Sequence, residues 1–275
     1  MPIIKQLIAL RRKAGLTREE FFDYHYRVHG ALSKGPSPSE TPLKYFQTHF
    51  LDTAYHVDPS QKIPNANPTW AFNDGLTELY FSSEEHMIQS FVSEWARTKV
   101  GPDGANFSDF SVVMPMFVKE EVVPLTAIES AISTLERSFV GMYFVALSDA
   151  QHSGEKNGDM IDKFASLLKQ HTSHEVLELV VNVPTEVGFD LSAYFRGGRS
   201  VPAYYAFMIV LRGKESVSAV RKVQGIFEAE NAGILDLPAT WIGFGERAVV
   251  LDQSEGIEFD PKRQPFKMES ELRYG

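Results

Sequence analysis

What most constrains this chain is an order of elements that occurs twice. In the first half, residues 3–11 (IIKQLIALR) read as a strand and residues 17–29 as an amphipathic helix. Two strands follow, at 44–52 (KYFQTHFLD) and within 70–81 (WAFNDGLTELYF). A helix over 83–99 and a strand over 116–123 complete the set. The second half repeats it: strand 138–147, helix 160–171, strands 174–183 and 204–213, helix 214–230, strand 241–251. A four-stranded antiparallel sheet with both helices on one face leaves its other face uncovered. The second strand carries apolar side chains on both faces, Tyr45 and Leu51 on one and Phe46 and Phe50 on the other. Two such sheets can bury their open faces against each other, which predicts a barrel-like interior made within one chain.

The order β-α-β-β-α-β is the ferredoxin-like one. The predicted class is therefore α+β, with two tandem ferredoxin-like repeats and an origin in duplication and fusion. The expected boundaries are 1–124 for the first domain and 138–251 for the second, with 125–137 as linker. Residues 252–275, polar and charged, form a surface extension.

Composition excludes several classes of function. With 27 basic against 36 acidic residues the net charge is -9, which disfavours nucleic acid or an anionic membrane as partner. The chain has no cysteine. Disulfides, thiolate catalysis and Cys-ligated metal centres are excluded. The N-terminal apolar run precedes its basic residues, the reverse of a signal peptide, and no window reaches the ~18 apolar residues of a membrane span. A cytoplasmic protein is expected.

The richest local pattern is LTREEFFDYHYRVHGAL, residues 16–32. Thr17 and Glu20 have the spacing of a capping box. Phe21, Tyr24, His25 and Val28 recur on one helical face, and His25 and His29 stand four apart on the helix surface. Gly30 reads as the residue closing the helix. That spacing alone would allow a metal pair, but a third ligand in a recognisable motif is missing; His56, in the long stretch 53–69, is an unsupported one.

This helix, with the strands after it, resembles the EthD family of the dimeric α/β-barrel superfamily. The matching stretches are residues 11–32, 44–50 and 73–81. Arg12, Leu16, Thr17, Glu20, Phe21, Tyr24, His29 and Ala31 sit where the helix motif expects their like. Tyr45 matches a tyrosine opening the second strand, and Asp74-Gly75 and Glu78 match the third. The second half resembles the family in element order only, and its helix ending at His171 lacks the aromatic and arginine frame. The resemblance implies a pseudo-dimer of the dimeric α/β-barrel type. It also implies a hydrophobic pocket for a flat aromatic or polyketide-like ligand, as in fused fungal members associated with polyketide tailoring. Related small barrels act as cyclases, decarboxylases, dehydratases, lactone isomerases or monooxygenases, generally without metal or organic cofactor.

The candidate catalytic residues are His29, His49, Glu78, Asp74 and Tyr45. His29 can exchange a proton near neutrality, or can simply hold free carbonyls at a helix end. Tyr45, Gln47 and His49 share one strand face, which lines the barrel, faces solvent or lies beneath helix 17–29. Asp74 and Glu78 share a face of the third strand; burial would raise a carboxyl pKa toward neutrality, whereas Asn-Asp-Gly also reads as a plain turn. Tyr24, His25, Phe50, Trp70 and Trp95, with Phe72, are candidate pocket walls, and the stretch 53–69 a candidate lid. FRGGRS, 195–200, lacks the ending of a phosphate loop and reads as a turn. The expected activity is that of a cofactor-independent lyase or cyclase of secondary metabolism. It would dehydrate, decarboxylate or close a ring on an aromatic polyketide-like substrate by acid–base chemistry. The alternatives are a cofactor-free monooxygenase and a non-catalytic binding or assembly protein. No cofactor or metal is expected; the partner is a small molecule, and the protein is a monomeric pseudo-dimer or a homodimer.

Overall fold

The computed structural model describes residues 3–60, 62–63, 66–71, 74–125, 138–148, 156–172, 174–190 and 204–265. The predicted linker, beyond Leu125, and the turn at 195–200 lie outside them, as do Phe72 and Asn73. Among the described residues, no helix is long and apolar enough to cross a membrane.

Eight strands close into one antiparallel barrel. They are β1 (Ile4–Leu10), β2 (Lys44–Tyr55), β3 (Gly75–Phe81), β4 (Met114–Pro124), β5 (Ser138–Ala146), β6 (Val176–Pro184), β7 (Tyr204–Leu211) and β8 (Trp241–Asp252). Their order around the barrel is β1-β3-β2-β8-β5-β7-β6-β4. Each half thus contributes four adjacent strands in the same relative order. Two seams join the halves, β2 with β8 and β4 with β6. At the first seam Phe50 packs against Gly243, where a Cβ would come within 2.8 Å of its ring. Glycine there gives Phe50 its place inside the barrel.

Strands buried on both faces explain the near-continuous apolar runs of the sequence. In β1, Leu7 and Ala9 face inward, and Ile4, Ile8 and Leu10 face the helices. The interior is filled by one apolar cluster drawn from all eight strands, including Met114, Met116, Met142 and Met208. One end is aromatic: Trp241 stacks on Phe144 with centroids 4.4 Å apart, and Tyr55 packs on Trp241 and Trp70.

A buried charge cluster holds part of the inward face. Glu78 accepts from Arg247 Nε at 2.6 Å and pairs with Lys5 Nζ at 3.0 Å. Lys5 also reaches Glu120 at 2.9 Å, as does the Tyr80 hydroxyl. The Arg247 guanidinium lies 3.7 Å from the Phe46 ring centre. Burial alone would raise the Glu78 pKa, but Arg247 and Lys5 overcome it and hold the carboxyl down at about 2. The expectation of a raised value is therefore reversed, because two cations face this carboxylate inside the barrel.

The helices lie outside the barrel. In the first half, α1 (Arg18–Asp23) runs into a π-helical turn, Tyr24–His29, and then α2 (Gly30–Leu32). The capping box is present: Thr17 N–H donates to Glu20 Oε2 at 2.6 Å, and Glu20 N–H to Thr17 Oγ1 at 3.2 Å. Phe21, Phe22 and Tyr26 dock this helix, and the Tyr26 hydroxyl donates to the Val249 carbonyl at 2.8 Å, across the β2–β8 seam. Gly30 does not end the helix. It keeps helical angles, and its bare Cα lets the helix approach β8, where a Cβ would stand 3.3 Å from Val250. The expected helix 83–99 is α3 (Glu84–Val92), capped by Ser83, and then a π-helical turn, Ala96–Val100. It continues into α4 (Gly101–Phe107), which the sequence reading had not expected. In the second half, α5 (Lys156–His171) and α6 (Val217–Glu230) pack on the sheet through one continuous apolar cluster centred on Phe164, Phe207 and Phe227.

Replacing Glu78 by Gln leaves Lys5 and Arg247 short of their shared carboxylate. Urea unfolding at neutral pH should then show a loss of about 3–5 kcal/mol, and a loss below about 1 would contradict this account. The folded Glu78 value lies below its unfolded one, so its stabilisation is complete above pH 4.5 and disappears as pH falls through about 2. The wild type should therefore lose stability through that window more steeply than Glu78→Gln.

Candidate active site

A cavity of about 780 Å³, its open mouth included, lies between the first-half sheet and its helices. Ile8 and Leu10 of β1, Tyr45 of β2, and Thr77, Leu79 and Phe81 of β3 form its sheet side. His29 and Ser33 enter from the first helix; Phe91, Trp95, Ala96, Val100, Gly104, Phe107 and Phe110 enclose it from the second helical segment and the turn after it. Both π-helical turns border this space, consistent with the enrichment of such turns at functional sites. The second half fills the corresponding layer with its apolar cluster.

His29 is the titratable group best placed here. Its Nδ1 lies 2.9 Å from Asp103 Oδ2. An ionised carboxylate can only accept, so Nδ1 carries a hydrogen, and in the neutral ring it is Nε2 that holds the lone pair. Asp103 Oδ1 accepts from the Tyr24 hydroxyl at 2.7 Å and from Asn106 Nδ2 at 3.0 Å. Partial burial pushes the Asp103 pKa up, but these donors, His29 foremost, bring it below the usual carboxylate value. Burial and Asp103 raise the Tyr24 phenol to about 12. The result is a histidine whose tautomer and orientation are fixed by a carboxylate that is itself held by two further donors.

Asp103 was not found by sequence reasoning. It lies in Gly101-Pro102-Asp103-Gly104, which reads as a turn. The backbone instead stays helical from Ala96 to Phe107; it changes from the π-helical turn to α4 at Gly101-Pro102, where proline offers no N–H to the preceding turn. The available signal was the helix N-terminal preference for Pro followed by an acidic residue.

The other predicted residues divide by sheet face. Tyr45 and Trp95 line the cavity with His29, and Trp95 Nε1 donates to the Leu32 carbonyl at 2.8 Å. Tyr24 joins through Asp103. His25 and His49 lie beneath the helix, fully buried, with ring centres 5.5 Å apart; His49 stacks on Phe22 at 4.4 Å. The row Tyr45, Gln47, His49 thus lies beneath the helix, not inside the barrel. Burial drives the His49 pKa to about 3, and burial with the neighbouring His49 and His29 drives that of His25 well down. Phe50, Trp70 and Glu78 face the barrel interior, on the other side of the sheet from the cavity. Asp74 is buried and accepts from the Arg12 backbone at 2.8 Å and from the Arg12 side chain, with Arg18 at 3.9 Å. It ties the end of β1 to the start of β3. The described part of 53–69 covers the aromatic end of the barrel through Tyr55, and His56 pairs with Glu228 at 3.1 Å; none of its described residues lines the cavity that the stretch was expected to cover. Among the described residues, no group of three His, Cys, Asp or Glu side chains is placed to hold a metal ion.

The buried histidines give a direct test. The ring signals of His25 and His49 should stay those of neutral imidazole from about pH 8 to about pH 5 in an NMR titration. A midpoint near 6.5 for either would show that the helix does not bury it as described.

Comparison with known proteins bears on the fold. A solved structure described as an anthrone oxidase-like protein aligns with a TM-score of 0.57 at 7% identity, over 92% of this chain and 95% of that one. A candidate monooxygenase from Lactobacillus acidophilus NCFM aligns with a TM-score of 0.47 at 11% identity, over 90% and 96%. At such identities the likeness concerns the fold. No curated protein matches the chain in sequence. The model of the EthD domain matches residues 13–111, the span that holds His29, Tyr45, Trp95 and Asp103. Residues 13–111 are thus similar to an EthD domain, and they lie within the closed eight-stranded barrel.

Proposed function

We propose that this protein is an acid–base enzyme acting on a flat, aromatic, polyketide-like substrate in the first-half cavity, as a lyase or cyclase. The observation that carries this reading is the His29–Asp103 pair at the wall of a mostly apolar cavity. Nε2 of His29 takes a proton from a carbon activated by an adjacent carbonyl or aromatic ring. Asp103 stabilises the imidazolium so formed. Tyr45 lines the same space, and in this reading its hydroxyl donates to the oxygen on which negative charge develops, or protonates a leaving hydroxyl. Dehydration, decarboxylation and ring closure all use this set of protons. His49, Glu78 and Asp74 enter the reading as supports, through the packing and ion pairs already given. The two halves are read as fused ferredoxin-like domains, 1–124 and 138–251, the second completing the barrel on which the first builds its site.

A second reading is a cofactor-free monooxygenase, suggested by the description of the anthrone oxidase-like protein that shares the fold. Deprotonation by His29 would come first there too, and the carbanion would react with dioxygen. A methylene would become a carbonyl, with one oxygen atom leaving as water.

Anthrone, whose C10 protons are acidic and flanked by two rings, tests both. In deuterated buffer without oxygen, the wild type should accelerate C10 exchange. His29→Ala and Asp103→Asn should each lower that rate by roughly 10²–10⁴-fold. Full exchange in His29→Ala would overturn the assignment of the base. In air, oxygen uptake matched by anthraquinone, beyond that of a protein-free solution, would select the monooxygenase reading over the lyase.

A further inference from the structure

One carbonyl in the first helix has two donors. His25 O accepts from the Gly30 N–H, the bond that makes this turn π-helical, and from Gln47 Nε2 at 2.7 Å. The same Gln47 nitrogen donates its second hydrogen to the Tyr45 hydroxyl oxygen at 2.5 Å. A carbonyl cannot donate, so the amide must present its nitrogen to this side. The cost is visible: among the described residues, Gln47 Oε1 is buried with no hydrogen-bond partner. A buried acceptor left unpaired is destabilising. An amide held in the orientation that leaves its oxygen orphaned is one whose two donors are needed.

Those donors join the two sides of the site. One fixes the turn that ends in His29, and the other reaches the phenol on the cavity wall. Because the Tyr45 oxygen accepts from Gln47, with Thr77 and Ser33 beside it, its own hydrogen can be directed at a ligand oxygen. Thr77 is held in turn by His25 Nε2 at 3.0 Å. Gly30 lies beside this contact: a Cβ there would stand 3.6 Å from the Gln47 nitrogen, an ordinary contact, and 3.3 Å from Val250, a tight one.

We propose that Gln47 is a positioning residue of this site, holding the π turn under His29 and setting the Tyr45 hydroxyl as a donor toward a carbonyl or phenol oxygen of the ligand. This rests on the acid–base reading above. Gln47 does not touch the ligand and acts through Tyr45 and His29.

The test uses the full chain and the probe anthrone. In Gln47→Met, which keeps the volume and removes both donors, the NMR signals of the Tyr45 ring and of His29 should move. Those signals are assigned by Tyr45→Phe and His29→Ala. The rate constant kcat for anthrone exchange should fall by about 10–100-fold while KM changes less than about threefold, as expected when positioning and not binding is lost. Gln47→Glu, which turns the donor into an acceptor, should lower kcat at neutral pH and recover part of it as the new carboxyl is protonated. That limb in the pH profile is one a merely structural role would not produce, and it keeps the test open if the Met variant fails to fold. The positioning role falls if Gln47→Met leaves both signals and kcat unchanged, or if Gln47→Glu shows no such limb. If the wild type does not exchange anthrone but the two signals move in Gln47→Met, the functional reading fails and the positioning of Tyr45 and His29 stands.

Discussion

The structure depends on the covering of two sheet faces. Each half alone would expose an apolar face and two strand edges, both unstable in water. The seams β2–β8 and β4–β6 remove the edges, and the closed interior removes the faces. The interior is filled by methionine, valine and aromatic side chains, and the cavity at His29 lies in the layer between sheet and helices. Every inward position then serves closure. Glu78, Lys5 and Arg247 satisfy one another there, and Trp241, Tyr55 and Trp70 close the aromatic end.

The halves share an architecture and differ in what fills it. Under α5 and α6 the layer is a continuous apolar cluster. Under the first-half helices it holds a cavity, three imidazoles, a phenol and an amide. Buried polar atoms without partners, among them His49 Nδ1 and Nε2, Gln47 Oε1 and Ser108 Oγ, occur on this side of the sheet. Such groups cost stability.

Much of this was legible in the sequence, and what was not has particular causes. The doubled order of elements could be read because long apolar runs with clear turns between them have one consistent interpretation. The capping box at Thr17 and Glu20 was readable because it depends on local spacing alone. The face of the row Tyr45, Gln47, His49 could not be read, because β2 is apolar on both sides and alternation does not say which side meets the helices. Asp103 was hidden by Gly101-Pro102, which breaks most helices yet suits the first turn of one. Gly30 looked like a helix end because glycine often is one; its use here is the close approach to Val250, a long-range fact. Glu78 was expected to be a proton donor because burial raises a carboxyl pKa. Two cations distant in sequence, Lys5 and Arg247, reverse the sign.

The central claim is that the ligand site lies in the first-half cavity at His29. The structure of the protein with a bound neutral planar aromatic such as 2-naphthol, by crystallography or from intermolecular NOEs, tests it most directly. The account predicts the ring against Trp95 and Phe107, with its hydroxyl toward His29 or Tyr45. A ligand found inside the barrel beside Trp241, or under α5 and α6, would contradict it.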